Sequence, residues 1–168
     1  LDLDRMLSSG SAVLELISIV FLIVLIVLFL FIAEGDRRAQ RIFLLPVIAV
    51  GAIGCMMHLF LRDLSFLSLV EGSLFGGSFF GLQYLLSRGK AIGMGDIFLG
   101  IALGCVFGLH RFIFVLLFAY VGGAVLALVL LATKRIKRTD TLPLGAFLSL
   151  AAIVTLFLPH PWRLLGLF

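Results

Sequence analysis

Positions 12–33 read AVLELISIVFLIVLIVLFLFIA, and after Glu15 the run carries no charge through Ala33. A bilayer core about 30 Å thick is crossed by about 20 helical residues. Lipid offers no partner to an open backbone, so such a run must close its hydrogen bonds within a helix. The rest of the chain has the same character: 62% of its 168 residues are hydrophobic and 13% charged, with mean hydropathy +1.28. A soluble domain of this length is nearer half apolar. The sequence therefore describes an integral membrane protein of the all-α class.

Breaks at charges, prolines and glycines divide it into six candidate helices: Ala12–Ala33, Ile42–Leu61, Phe66–Ser87, Ile97–Leu109, Phe112–Thr133 and Leu142–Leu158. The loops between them are too brief for a soluble domain. The expectation is a polytopic bundle of six transmembrane helices forming a single domain over 1–168. The first block is too long for a signal-peptide core, and no small-residue cleavage site follows it. Leu1 in place of methionine suggests a chain that begins inside a longer one.

Basic residues set the direction. Arg37, Arg38, Arg41, Arg88, Lys90, Lys134, Arg135, Lys137 and Arg138 follow the first, third and fifth blocks, against Arg5, Arg62, Arg111 and Arg163 on the other side. The positive-inside rule puts the first group in the cytoplasm and both termini outside. The net charge of +4 is thus accounted for by orientation, and no nucleic-acid partner is expected.

Cys55 and Cys105 stand singly in apolar runs, without zinc spacing or a disulfide framework, and read as small core residues. His58, His110 and His160 have no ligand spacing and read as interfacial on the outer side; neither a metal nor another cofactor is expected. Trp162 reads as an interfacial anchor. Gly100, Gly104 and Gly108 share one helical face, and Gly72/Gly76 and Gly77/Gly81 repeat the spacing of four that lets helix backbones approach.

Among the acidic residues, Glu34, Asp36, Asp96 and Asp140 fall at the cytoplasmic boundary. Asp36 follows Gly35, where the first helix is expected to stop because glycine commonly sits just past a helix end. Asp96 opens the fourth helix. Two aspartates from different helices at one depth can share a water, as in aspartic proteases, where like charges in contact cannot both ionise. The ionised carboxylate then takes a proton from water while its partner donates to the scissile carbonyl. Carboxylates that merely mark the lipid boundary would occupy the same positions. Glu34 and Asp140 suit either solvated boundary charges or attraction of a basic peptide.

The wording around the pair resembles a known family. GMGD (93–96) is similar to the GxGD signature of aspartyl membrane proteases. Asp36 followed by a basic stretch and Ile42, then GxGD two spans later, then LPLGAFLSLAA (142–152), resembles the type IV prepilin peptidases. The resemblance covers nearly the whole chain and corresponds to the six-span peptidase core. It implies an endopeptidase that removes the short basic leader from prepilin or pseudopilin precursors at the cytoplasmic face of the plasma membrane, in type IV pilus or secretion systems. It implies Asp36 and Asp96 as the catalytic pair. Gly93 and Gly95 would permit close approach or positive φ, and Pro143 and Gly145 would shape the last helix near the site.

The chain departs from the family pattern at three places. Phe43 stands for the proline after Ile42, Phe98 for a lysine two places beyond the second aspartate, and Ala146 for the second proline of the late motif. The four-cysteine loop of members that also N-methylate their product is absent. A small proton-coupled transporter or channel, or an inactive assembly factor of the peptidase fold, are the alternatives.

Overall fold

The computed structural model describes residues 2–39, 42–61, 66–90, 92–134 and 143–158. Arg41, Arg62, Asp63, Arg135, Lys137, Arg138, Asp140, Leu142, His160, Pro161, Trp162 and Arg163 lie outside them. Among the described residues there are five helices and no strand: α1 (Asp2–Ala39), α2 (Leu44–Leu61), α3 (Phe66–Ser87), α4 (Met94–Ala132) and α5 (Leu144–Phe157). Two stretches, Glu15–Arg38 and Met94–Ala132, are helices long and apolar enough to cross a membrane.

The expected fourth and fifth helices are the two halves of α4, which follow one another directly across a break with no loop between them. Gly108 breaks α4 with φ 64° and ψ 173°, a left-handed φ that L side chains rarely adopt. The chain doubles back there. Before the break, Gly72 and Gly76 of α3 lie against Gly104 and Gly100, so α3 runs antiparallel to the first half of α4. After it, Phe112 returns to Phe75 and Tyr120 to Phe79, so the second half runs parallel to α3. His58 Nε2 on α2 lies 3.0 and 3.1 Å from the carbonyl oxygens of Cys105 and Val106. These belong to the last turn before the break, where a helix end leaves acceptors without intrahelical partners. His58 is therefore part-buried between α2 and α4, at the end of the bundle away from Asp36 and Asp96.

The first helix also corrects its expectation. It does not stop at Gly35 but runs on through Asp36 to Ala39. Glu34 pairs with Arg37 one turn on, at 2.9 Å, and with Arg38. Pairs at these spacings and cations in a last turn both favour helix. Gly35 instead makes room for the Phe43 ring, 3.4 Å from where a Cβ would stand.

Around α4 the other elements assemble: α2, α3 and α5 touch it directly, and α1 packs on α2 and α5. The core joins Leu25 and Phe29 of α1, Val50 of α2, Phe80 of α3, Leu99, Leu103 and Phe112 of α4, and Leu148 of α5. Gly72 and Gly76 hold α3 against Gly104 and Gly100 with no room for a Cβ, as their spacing predicted, whereas a Cβ on Gly81 would meet nothing within 4 Å. Outward faces stay apolar: Leu16, Val27, Phe31 and Leu45 are all exposed. Cys55 is exposed as well, and so is not a core residue; both cysteines are free.

Candidate active site

Asp36 and Asp96 come to the same end of the bundle, where α1 ends and where α4 and α5 begin. The residue that joins their surroundings is Ile42. A Cβ on Gly95 would stand 2.7 Å from Ile42 Cβ, and one on Gly145 would stand 2.7 Å from Ile42 Cδ1 and 3.0 Å from Asp36 Oδ2. A single isoleucine thus touches both the backbone next to Asp96 and the backbone against Asp36. Asp36 is within electrostatic reach of Asp96.

Each carboxylate is held by backbone. Asp36, only 6% exposed, accepts the Ala146 N–H at 3.0 Å through Oδ2, and the Gly145 amide also addresses it. These amides belong to the first turn of α5, whose N-cap residue, Pro143, provides no side-chain cap. Opening amides of a helix have no intrahelical acceptor, and a carboxylate suits them in both hydrogen bonding and charge. Asp36 caps α5 from another helix. Asp96, at the third position of α4, reaches back to the Gly93 N–H at 3.0 Å. This is the returning half of a capping box, which closes the turn of the GMGD stretch. An ionised carboxylate has about four lone-pair sites, so both retain capacity for a water.

The six residues singled out from the sequence therefore gather here, with different tasks. Gly93 is extended (φ −86°, ψ 162°) and Gly95 is helical, so neither uses positive φ; the positive-φ glycines among the described residues are Gly89 and Gly108. Gly95 and Gly145 serve close approach. Pro143 starts α5. Glu34 is taken up by Arg37 and Arg38 on its own helix, as a boundary charge would be. Phe98 is 47% exposed and outside the core. Among the described residues no group of three His, Cys, Asp or Glu side chains is placed to hold a metal ion.

Three nearby groups had escaped the sequence reading. The Ala146 amide is invisible to a search by side-chain type. Gln83 and Tyr120, hydrogen-bonded at 3.0 Å, are polar residues inside apolar helices, and that contrast was the available signal.

The chain matches no protein-family model, no curated protein and no solved structure.

Proposed function

We propose that this chain is a membrane aspartyl endopeptidase of the prepilin peptidase type. Its substrates would be prepilin-like precursors with a short basic leader ahead of an apolar helix, cut at the cytoplasmic face of the plasma membrane. In this reading the six helical stretches cross the bilayer, with the two halves of α4 as separate spans.

The observation that carries the reading is the shared contact of Ile42 with Gly95 and Gly145, which brings the surroundings of Asp96 and Asp36 together. Boundary carboxylates would have no need of such convergence. A relay for transported protons is expected near the bilayer midplane on broken helices. Here the break in α4, at Gly108, lies at the end away from the aspartates.

In the mechanism a water sits between the carboxyl groups. The ionised carboxylate removes one of its protons as the oxygen attacks the scissile carbonyl, and the protonated carboxyl donates to the carbonyl oxygen. Collapse of the tetrahedral adduct breaks the C–N bond. The proton taken from water passes to the leaving amine, and the other carboxyl recovers its own. Water is thereby added across one peptide bond, and the pair acts as a unit. The Gly93 and Ala146 amides fix both groups before substrate arrives, which avoids reorganisation during reaction.

The test is incubation of the purified protein in lipid with a precursor of that chemistry. Leaderless product is expected from the wild type and none from Asp36→Asn or Asp96→Asn, each still folded. Wild-type rates in either variant would overturn the proposal.

A further inference from the structure

Between α3 and the second half of α4 lies a polar pair. The Tyr120 hydroxyl donates to Gln83 Oε1 at 3.0 Å, and Tyr120 meets the Phe79 ring edge to face at 5.9 Å. Phe79 is itself stacked on Phe75. Hydrogen bonds between polar side chains can serve only to join apolar helices. The location of this one argues for more.

Asp96 lies twelve residues before Gly108 and Tyr120 twelve after it, so the doubling-back brings both to one level. The register of α3 agrees. Gly72 meets Gly104 and Gly76 meets Gly100, and continuing that step brings Gln83 within about a turn of Asp96. Tyr120 is also within electrostatic reach of Asp96. Tyr120 is 37% exposed, so the pair is not sealed in the core.

We infer that Gln83 and Tyr120 bind the backbone of the cleaved segment beside the aspartate pair. This rests on the peptidase reading. A peptide drawn to the lipid boundary needs partners for its own N–H and C=O groups. Gln83 Nε2 has two N–H donors, one of which reaches only Phe79 O at 3.4 Å. Tyr120 Oη donates its proton to Gln83 and retains lone pairs to accept from a substrate N–H. Donor and acceptor are thus tied together, with the tyrosine ring set by Phe79. Such preorganisation lowers the entropy lost on binding.

The experiment uses the full chain in lipid and a precursor with a basic leader and an apolar helix. Tyr120→Phe keeps the ring on Phe79, and Gln83→Leu keeps the volume. Each should raise KM about two- to tenfold, the worth of one hydrogen bond, with kcat held within about twofold. The double variant should be little worse than either single one, because the two act as a unit. If Gln83→Leu fails to fold, Tyr120→Phe decides alone. Wild-type KM in Tyr120→Phe, or a fall in kcat at unchanged KM, would overturn the inference and leave the peptidase reading standing. No cleavage by the wild type would overturn both.

Discussion

The Ala146 amide donates to Asp36 Oδ2 at 3.0 Å, joining residues 110 apart in sequence. Proline, which the resembled motif has at this place, carries no N–H and could not make the bond. Ala146→Pro therefore removes one interaction at a first-turn position where helices accept proline. A hydrogen bond to a charged group is worth about 1.5–3 kcal/mol, so cleavage is expected to slow about ten- to a hundredfold. Helix content by circular dichroism should be unchanged. An unaltered rate would show that Asp36 does not depend on this amide.

Gly145 and Gly95 press on different parts of Ile42: a Cβ on the first would collide with Cδ1, and one on the second with Cβ. Gly145→Ala and Gly95→Ala should each lower the cleavage rate more than about tenfold, as small misplacements of reacting groups can. Ile42→Val, which deletes Cδ1, should restore part of the activity of Gly145→Ala, whose Cβ would still stand 3.0 Å from Asp36 Oδ2, but little of Gly95→Ala. By contrast Gly81→Ala meets open space and should raise stability by about 0.5–1 kcal/mol. Initial rates and melting midpoints in one lipid check all four.

The pH profile of kcat/KM should be bell-shaped. Asp36 and Asp96 are close enough to interact, and a working pair holds one proton between them. On the acid side the ionised member gains a proton and can no longer act as base. On the alkaline side the shared proton leaves and no acid remains. A profile with a single limb would speak against the pair.

Phe98 is two residues beyond Asp96 and 47% exposed. Phe98→Lys should fold, at a cost under about 1 kcal/mol for a cation near a helix N-terminus. Its cleavage rate should equal or exceed that of the wild type, since the lysine puts a cation near the pair. Loss of folded protein would show that the ring is needed for packing.

Lys90 is exposed just after α3. In the proposed orientation a cysteine at this position reacts with an impermeant maleimide only from the cytoplasmic side of sealed vesicles. Labelling only from outside would invert the topology.

Much of the site was legible because it is local. Asp96 opening α4 follows from glycines before it and an apolar run after it, and the Gly72/Gly76 and Gly100/Gly104 spacing told of helices in close contact. The end of α1 was misread because glycine was weighed as a stop signal alone, while Glu34 with Arg37 and Arg38 carries the helix onward. The cap of α5 by Asp36 could not be read at all, since its donor is a backbone group 110 residues away. The contact His58 makes could not be read for a related reason: its acceptors exist only because α4 breaks, and spacing does not announce where a glycine will turn left-handed.

That left-handed glycine also bears on biogenesis. As one straight rod, the 39 residues of α4 would measure about 58 Å, nearly twice the thickness of a hydrocarbon core. Folded at Gly108, and with its halves as separate spans in the proposed reading, α4 would enter the bilayer as a helical hairpin. In that reading neither half would settle at its depth without drawing the other along. A deletion or insertion of one residue on either side of Gly108 would therefore shift one arm against the other by about 1.5 Å and rotate it by about 100°.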